Sequence, residues 1–391
     1  MKSGNKIFLG VISIIALVTA GYFLFIKDSL SQGSDEGIKN DRNSIPIMSK
    51  DSVNQSIYQS RENIITGTVK KISNAVVGIN VTEVRQYRDP FADDPFYRYF
   101  YGDRVYEKQI KGLGSGTIIS SDGYILTNDH VAGNATKIIV TMTDGTQHDA
   151  EIIGTDQVSD ICLLKIDADN LPFISLGNSN EVLIGEWVIA LGNPFGLFEL
   201  NDKPTVTVGV ISATGMNLGS SNERFYLNMI QTDASINSGN SGGPLVNCLG
   251  ELIGMNTLIY SQSGGSIGVG FAIPVNKIKT IIDELKDKGK IDRDFWTGLR
   301  IQTIDEGIAK YYDLPNTRGV IVTYVTPGSP AARAGLEVGD IITEVDNFKI
   351  NNYDTLAGVL QEFRSGDNVE IKILRNNNSL TKKMHLETHN D

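Results

Sequence analysis

The pattern of hydrophobic and polar positions first separates an apolar N-terminus from a polar stretch. Residues Ile7–Ile26 form an uncharged run of twenty residues, which as a helix would span about 30 Å, the thickness of a bilayer core. Lysines at positions 2 and 6 precede the run, and this positive charge predicts a cytoplasmic N-terminus. We therefore expect residues 1–26 to be a cytoplasmic tip with a transmembrane anchor, and the Ser-, Asn- and Asp-rich residues 27–60 to be a flexible tether.

A cleaved signal peptide is the alternative to this anchor. The triplet Val18-Thr19-Ala20 would serve as a cleavage site. The apolar run nevertheless continues to Ile26, which is longer than a signal peptide requires, so the pattern favours the uncleaved anchor. Both interpretations export the rest of the chain, and the anchored one predicts a single-pass protein of the bacterial inner membrane that faces the periplasm or the cell exterior.

From about residue 61 the pattern changes to short β-branched segments separated by Gly, Asn and Asp. Strands of this length with frequent turns predict a β-barrel or a β-sandwich. The predicted strands fall at 76–79, 117–119, 124–127, 137–140, 186–191 and 205–212. After Pro274 the period becomes helical and Gly289 is its stop signal, with aliphatic side chains at Val275, Ile278, Ile281, Ile282 and Leu285.

Composition narrows the class of protein. The 391 residues are 40% hydrophobic and 21% charged, which suits two or three folded domains. The 35 basic and 46 acidic residues give a net charge of −11, and this balance argues against nucleic acid as a partner. The two cysteines, Cys162 and Cys248, have no histidine beside them, so we expect small hydrophobic residues rather than a disulfide or reactive thiols. No Cys/His cluster has zinc spacing, and we expect neither a metal nor a cofactor.

The segment Gly239–Pro244, with the sequence Gly-Asn-Ser-Gly-Gly-Pro, is the strongest indication of chemistry. A nucleophilic serine needs a tight turn that exposes its hydroxyl while backbone N–H groups converge on the developing oxyanion. Flanking glycines permit that backbone, since side chains would block both the turn and the substrate carbonyl. Ser241 is therefore the candidate nucleophile, although the segment by itself also fits an ordinary surface turn.

A serine nucleophile needs a base, and His130 is the candidate. It follows the predicted strand 124–127, where a side chain can be directed into a cleft. His148 comes directly after a hairpin-turn signal and fits an exposed strand position. His385 and His389 lie in a polar C-terminal tail, so the sequence favours His130 as the group that accepts the serine proton.

The third member must be a carboxylate that orients the imidazole and stabilises its charged form. Asp160 stands directly before the apolar segment 161–166, and an acid beside a buried strand requires a partner. Asp156 is the competitor, in a more polar stretch that indicates a loop. With Asp160 the order along the chain is His, Asp, Ser, which is that of chymotrypsin-type proteases.

Several segments together resemble the HtrA/Deg family of serine proteases. They are Gly112–Gly116, Thr127-Asn128-Asp129-His130-Val131, Ser159-Asp160-Ile161, Gly192–Gly196 and Gln231–Leu245. The resemblance implies two chymotrypsin-like β-barrels over residues 61–274, with the catalytic roles on His130, Asp160 and Ser241. It also implies an oxyanion hole formed by the backbone N–H groups of Gly239 and Ser241.

The resemblance also gives a role to an aromatic segment. Seven aromatic residues lie between Tyr87 and Tyr101, and exposed clusters of this kind mark contacts. In the family this loop reaches toward neighbouring subunits, so the resemblance implies a homotrimer. The alternative is that these aromatic side chains pack on their own barrel.

The last hundred residues resemble one PDZ domain over residues 293–388, joined to the protease by a connecting helix at 275–292. The segments that carry the resemblance are Gly319–Val322, Gly328–Leu336 and Gly339–Ile342. A PDZ groove binds a C-terminal peptide as an added strand and holds its carboxylate with backbone N–H groups. The resemblance assigns that loop to Trp296, Thr297, Gly298 and Leu299. Leu356 and Leu360, on a predicted helix over 354–364, either line the groove or belong to the core.

The sequence thus predicts a mainly β, membrane-anchored, exported serine endopeptidase with a PDZ domain. Its substrates are unfolded or misfolded envelope proteins, or one regulatory protein, and the anchor and single PDZ domain favour regulated, site-specific cleavage. The family resemblance suggests small aliphatic residues at P1, and Ile236 is compatible with a short apolar pocket. A non-catalytic PDZ scaffold or chaperone with an inactive protease fold is the alternative, disfavoured because all three triad positions are intact.

Overall fold

The computed structural model describes residues 61–88, 105–193, 198, 202–237, 239–259 and 266–388. The predicted anchor, the tether and residues 89–101 of the aromatic segment lie outside the described residues. Within these ranges no helix combines the length and apolar character needed to cross a membrane.

Residues 76–166 form a closed antiparallel barrel in the strand order β1-β2-β3-β6-β5-β4. Its strands are β1 (Val76–Arg88), β2 (Val105–Ile118), β3 (Tyr124–Thr127), β4 (Lys137–Thr141), β5 (Gln147–Asp156) and β6 (Ile161–Ile166). Helix α1 (Ile64–Ile72) precedes the barrel, and a single helical turn, α2 (Asp129–Ala132), follows β3. The barrel closes because β1 pairs with β2 along one side and with β4 along the other.

A second closed barrel follows, in the order β11-β14-β13-β12-β7-β8. Its strands are β7 (Trp187–Gly192), β8 (Thr205–Met216), β11 (Met229–Thr232), β12 (Pro244–Asn247), β13 (Leu252–Ile259) and β14 (Gly270–Pro274). Between β8 and β11 the chain forms a separate small hairpin of β9 (Gly219–Ser221) and β10 (Arg224–Tyr226).

The strands predicted from the sequence are confirmed in place, and two of them are much longer than predicted. β1 has 13 residues and β2 has 14. The two pair with each other without interruption from Val76 opposite Thr117 to Arg88 opposite Val105. The apolar pattern marks only part of each strand, because β1 and β2 continue as a paired ribbon beyond the β-branched segments that predicted them.

The predicted connecting helix is observed as α3 (Val275–Lys288). Its five predicted aliphatic positions are all buried, and the helix ends at Gly289, whose φ is 70°. α3 packs against β5, β6, β13 and β14. Its buried face therefore joins one hydrophobic core that includes side chains of both barrels.

The C-terminal domain is an antiparallel sheet in the order β15-β16-β17-β19-β20, with β18 paired to β17. The strands are β15 (Leu299–Thr303), β16 (Val320–Val325), β17 (Ile341–Val345), β18 (Phe348–Lys349), β19 (Asn368–Arg375) and β20 (Asn378–His385), and the helices are α4 (Glu306–Tyr311), α5 (Pro330–Arg333) and α6 (Tyr353–Leu360). The helix predicted over 354–364 ends at Leu360, because the chain then turns and the Arg364 N–H donates to the Asp367 carboxylate at 2.6 Å.

Charged contacts join the C-terminal domain to the preceding residues, and the described residues from Glu62 onward form one compact unit. The Arg293 guanidinium binds both carboxylate oxygens of Asp156, each at 2.7 Å. Two further pairs are Lys277–Glu362 at 2.5 Å and Arg364–Glu284 at 3.0 Å.

The small hairpin also contacts the C-terminal domain. Leu227, which follows β10, belongs to the hydrophobic core of that domain. A Cβ atom on Gly358 of α6 would lie only 2.7 Å from Cδ1 of Phe225 on β10. The hairpin and α6 therefore meet through close apolar contact.

Candidate active site

His130 is held by a short helical turn where loops of the two barrels meet. Asn128 has an extended backbone and begins α2 directly after β3, so the turn directs the His130 side chain outward, where it is 33% exposed. The His130 N–H donates to Asp160 Oδ1 at 3.0 Å, and His130 Nδ1 lies 2.8 Å from Asp160 Oδ2. This pairing uses Nδ1 and leaves Nε2 as the ring nitrogen that can accept a proton.

Asp160 is completely buried and has an unusual backbone. Its φ of 57° lies in the left-handed region, which costs a non-glycine residue on the order of 1 kcal/mol. The Asn128 side-chain amide donates to the Asp160 carbonyl at 3.0 Å, and the Thr257 hydroxyl donates to Asp160 Oδ2 at 2.7 Å. These bonds hold the strained residue and satisfy a carboxylate that water does not reach.

Ser241 sits on a tight turn that is fastened to β2. The Ser115 N–H donates to the Ser241 carbonyl at 2.9 Å. A Cβ atom on Gly242, whose φ is 84°, would lie 2.2 Å from the Ser115 carbonyl oxygen. Only glycine allows the turn to approach the strand this closely. The Ser241 hydroxyl itself donates to the Thr257 carbonyl at 3.3 Å.

The Ser115 side chain holds the segment just before the nucleophile. This hydroxyl is fully buried. It donates to the Gly239 carbonyl at 2.6 Å and accepts a hydrogen bond from the Asn193 N–H at 2.7 Å. One hydroxyl therefore fixes the orientation of the peptide that follows Gly239.

The structure brings the residues predicted for catalysis to one place. His130, Gly239 and Ser241 line a cleft of about 270 Å3, whose other walls are Val81, Glu83, Ile110, Gly112, Leu113 and Val131. Asp160 lies behind His130. Of the residues predicted to bind peptide, all but Gly298 line a different groove, in the C-terminal domain.

Sequence reasoning missed three groups that contact Asp160: Asn128, Thr257 and Arg224. Asn128 lies inside a motif that the sequence offered, next to His130. Thr257 follows Asp160 by 97 positions, and Arg224 lies on a hairpin whose polar, Gly- and Ser-rich sequence gives no pattern. Arg224 Nε lies 3.2 Å from Asp160 Oδ1, a juxtaposition that only the tertiary fold creates.

The interpretation of Asp156 as a loop residue is wrong. Asp156 is the last residue of β5 and is buried. Burial by itself raises the pKa of this carboxyl, but the hydrogen bonds and charge of Arg293 outweigh that effect and hold the pKa below its usual value. Asp156 therefore serves the contact with the C-terminal domain.

Comparison with known proteins assigns the family. Residues 114–255 match the trypsin-like peptidase domain and residues 298–386 match the PDZ domain. A probable periplasmic serine endoprotease, DegP-like, of Hahella chejuensis is 41% identical over 324 residues, which are 79% of this chain and 67% of the relative. The corresponding protein of Chlamydia trachomatis is 43% identical over 291 residues, 73% of this chain and 57% of the relative.

Solved structures agree. The HtrA-type protease AlgW with a decapeptide is 36% identical, with a TM-score of 0.62, and the match covers 84% of this chain and all of that one. The serine endoprotease of Yersinia pestis is 34% identical, with a TM-score of 0.54 over 84% of this chain and 99% of that one. The chain belongs to the HtrA family of serine proteases. It is a serine endopeptidase with two chymotrypsin-like barrels and one PDZ domain, and each of these four relatives is named a protease, which gives the non-catalytic scaffold no support.

The PDZ domain of this HtrA protease has a groove of about 560 Å3 between β15, an edge strand, and α6. Trp296, Thr297, Leu299, Leu356 and Leu360 line it. Leu356 is only 3% exposed and belongs to the domain core as well, so the two interpretations of this residue are compatible.

Gly298 lies in the loop that begins the groove. Its φ is 74°, and a Cβ atom there would lie 2.1 Å from Cβ of Ser329. Substitution at Gly298 would therefore distort the loop besides affecting a ligand.

The cysteines of the HtrA chain are both free, as predicted. Burial raises the pKa of the Cys162 thiol to about 12, so it stays protonated and acts as a small hydrophobic residue. Among the described residues no group of His, Cys, Asp and Glu side chains is arranged to hold a metal ion.

Proposed function

We propose that Ser241, His130 and Asp160 are the catalytic triad of an exported endopeptidase. The contact that carries the proposal is the 2.8 Å approach of His130 Nδ1 to the Asp160 carboxylate. With the Nδ1 proton directed at Asp160, Nε2 takes the Ser241 proton as the hydroxyl attacks the scissile carbonyl and then returns it to the leaving amine. An acyl-enzyme forms, and a water molecule activated by the same nitrogen hydrolyses it.

The backbone N–H groups of Gly239 and Ser241 are the proposed oxyanion hole. These two N–H groups flank the peptide bond between Gly239 and Asn240. The Ser115 hydroxyl holds that peptide by donating to the Gly239 carbonyl at 2.6 Å. Donors that are fixed in advance stabilise the tetrahedral intermediate without the cost of reorganisation. The fastening of Ser241 to β2 supports the same assignment.

Catalysis requires one change of hydrogen bonding at Ser241. The hydroxyl hydrogen is directed to the Thr257 carbonyl at 3.3 Å, whereas proton transfer requires it to be directed to His130 Nε2. Rotation of the Ser241 hydroxyl about its Cβ–Oγ bond redirects that hydrogen. We propose that substrate binding in the cleft of about 270 Å3 favours the rotated form.

Labelling with a fluorophosphonate tests the triad directly, because the reagent reacts with an activated serine hydroxyl. We expect the full-length protein to take up one label, located at Ser241 by mass spectrometry, and the His130→Ala variant to take up none. A label on another serine, or equal labelling of the His130→Ala variant, would exclude this triad.

The PDZ groove is proposed to bind the C-terminus of a protein or peptide. An edge strand beside a helix can accept a peptide as a further strand, and the solved AlgW structure contains a decapeptide. The N–H groups of Thr297, Gly298 and Leu299 are the proposed carboxylate site.

A labelled decapeptide with an apolar C-terminal residue tests this groove. Its affinity should fall about tenfold in Leu360→Ala, because Leu360 lines the groove. The control Leu380→Ala changes a half-exposed side chain on β20 and should bind as the wild type does. Equal affinities of the two variants would contradict this assignment.

Peptide binding is proposed to regulate cleavage. The supporting observation is that the PDZ domain contacts Asp156 of the first barrel and Lys277 and Glu284 of α3 through ion pairs, and the β9–β10 hairpin through Gly358. A regulated enzyme should cleave fluorescent casein slowly and accelerate when the decapeptide is added. Rapid cleavage of casein without peptide would instead favour broad removal of unfolded proteins.

Location and assembly are proposed from the sequence and the relatives. The relatives are named periplasmic, which fits export of this chain with residues 1–26 as an inner-membrane anchor. A mature N-terminus near Gly21 would show that the segment is cleaved instead. The proposed homotrimer predicts a sedimentation mass of three chains for the protein in detergent, and a monomer at all concentrations would exclude it.

A short apolar P1 pocket is proposed beside the nucleophile segment. Ile236 is 1% exposed, and a Cβ atom on Gly270 would lie 2.8 Å from its Cδ1 atom, so this side chain fills space where a deeper pocket could extend. We expect the enzyme to prefer Val over Phe at P1 and Ile236→Ala to reduce that preference. An unchanged ratio of kcat/KM values for matched Val and Phe peptides would place the pocket elsewhere.

A further inference from the structure

A buried arginine lies between two buried carboxylates behind the proposed triad. The Arg224 side chain on β10 is 13% exposed, and those of Asp129 and Asp160 are 5% and 0% exposed. Arg224 Nη2 donates to Asp129 Oδ2 at 2.7 Å. Its Nε lies 3.2 Å from Asp160 Oδ1 without the alignment of a hydrogen bond, so that second contact is electrostatic.

Asp129 keeps the arginine in this position. It precedes His130 in α2, and its second oxygen, Oδ1, accepts the Thr155 hydroxyl at 2.6 Å. A carboxylate held from one side by a strand hydroxyl presents its other oxygen in a fixed direction. Burial by itself lowers the pKa of Arg224. The hydrogen bond to Asp129 and the charge of Asp160 outweigh that effect and raise the pKa above its usual value, so the guanidinium stays charged.

We propose that Asp129 and Arg224 are positioning residues that set the pH at which His130 takes up a proton, acting through Asp160. The inference rests on the proposed triad. Asp160 stabilises the imidazolium that forms during catalysis, and the Arg224 cation, 3.2 Å from Oδ1 of the same carboxylate, opposes that stabilisation. The negative charge of Asp129 partly cancels the positive charge of Arg224, so Asp160 still stabilises the His130 imidazolium.

The other titratable groups near His130 do not supply the same effect. Tyr226 on β10 and Cys162 on β6 have pKa values raised by burial and by the neighbouring carboxylates, and both are neutral near pH 7. Glu83 on β1 lines the cleft on the substrate side. Among the residues that the structure describes, the charged groups that contact one another behind the imidazole are therefore Asp160, Asp129 and Arg224.

Two single substitutions should move the pH profile in opposite directions. Arg224→Gln removes a positive charge, so the imidazolium becomes more stable and the acidic limb of kcat/KM moves to higher pH. Asp129→Asn removes the negative charge that balances Arg224, so the imidazolium becomes less stable and the acidic limb of kcat/KM moves to lower pH. We expect each shift to be on the order of one pH unit. Arg224→Lys and the double variant Asp129→Asn/Arg224→Gln should return close to the wild-type midpoint.

The measurement uses the full-length protein in detergent, with fluorescent casein for kcat/KM and the 13Cε1 resonance of His130 for its titration. His130→Asn assigns that resonance among the four histidines. Arg375→Gln, whose partners Asp340 and Glu337 lie within the C-terminal domain, is the matched control and should leave both midpoints unchanged. If the protein cleaves nothing, the proposed function fails, but the resonance still tests the inference. Shifts in the same direction, or no shift in either folded variant, would overturn it.

Discussion

The Ser115 hydroxyl shows how a group that never meets the substrate can control the chemistry of the cleft. It lies fully buried between the Asn193 N–H at 2.7 Å and the Gly239 carbonyl at 2.6 Å. Both partners are backbone groups, and a buried backbone group without a hydrogen bond costs about 1–3 kcal/mol. The nucleophile segment therefore depends on this hydroxyl for its orientation.

Replacing Ser115 with Ala should reduce kcat about tenfold to a hundredfold with little change in KM. The reason is that the segment carrying the proposed oxyanion donors would lose its fixed orientation, and such donors act mainly in the transition state. Steady-state kinetics on casein peptides measure the effect. Thr141→Val is the control, since that buried hydroxyl accepts a bond from the Asn80 side chain at 3.0 Å rather than from the nucleophile segment, and should change only stability. An unchanged kcat in Ser115→Ala would contradict this role.

The sequence identified the site residues that stand in a recognisable local motif, but not those that reach the site only through the tertiary fold. Ser241 stands in a glycine-rich turn and His130 after a strand, and both could be placed from their neighbours. Thr257 and Arg224 reach Asp160 from distant parts of the chain. No local pattern indicates such a contact, because the position of either side chain depends on how the two barrels and the hairpin pack.

Glycines mark the elements of this chain in two opposite ways. Gly67 lies within helix α1, and a Cβ atom there would meet nothing within 4 Å. Gly289 ends α3 in a left-handed conformation with φ of 70°. At Gly67 no neighbouring atom requires glycine, which is a poor helix former, whereas Gly289 occupies a position that needs a residue with positive φ.

The two alanine substitutions should therefore change stability with opposite signs. Gly67→Ala should stabilise the protein by about 0.5–1 kcal/mol, since it lowers the entropy of the unfolded chain without a clash. Gly289→Ala should destabilise it by about 1 kcal/mol because of strain at the helix end. Urea unfolding at pH 7 measures both. Equal effects at the two positions would contradict the assigned roles of these glycines.

Hydrophobic periodicity predicted the helices that bury one apolar face, but it did not predict where a helix ends in a turn. Helix α3 was predicted to the correct stop, because its aliphatic spacing and Gly289 agree. Helix α6 ends at Leu360, earlier than predicted, since the side chain of Asp367 stabilises a turn at Arg364. Between the helix and that turn, the N–H groups of Gln361, Glu362 and Phe363 donate to carbonyls three residues earlier, and hydrophobic spacing carries no information about this change.

At the scale of the whole molecule, the position of the PDZ domain rests on buried and half-buried charges. Arg293 and Asp156 form the most enclosed of these pairs, at 13% and 4% side-chain exposure. Removal of one partner from a buried pair leaves the other charge without compensation, which is strongly destabilising. The sequence predicted the two domains but not this contact, because Arg293 and Asp156 are 137 positions apart.

Arg293→Gln should cost about 3 kcal/mol in the free energy of unfolding at pH 7. The exposed pair Arg333–Glu387 supplies the control, and Arg333→Gln should cost less than about 1 kcal/mol. Burial raises the pKa of Asp156, yet Arg293 lowers it more, so the folded value lies below the unfolded one. The stabilisation is therefore present above the unfolded pKa of about 4 and is lost as the pH falls through the lower folded value. Equal costs of the two substitutions at pH 7, measured by urea unfolding, would contradict this account.

Cleavage of fluorescent casein by the full-length protein and its Ser241→Ala variant, with the PDZ-binding decapeptide present, tests the central claim most directly. Ser220→Ala, which removes an exposed hydroxyl on β9, is the matched control. We predict that Ser241→Ala loses on the order of 10⁶ in kcat while its unfolding and decapeptide binding stay unchanged, and that Ser220→Ala cleaves at the wild-type rate. Cleavage by purified Ser241→Ala at a rate near that of the wild type would contradict the proposed catalytic mechanism.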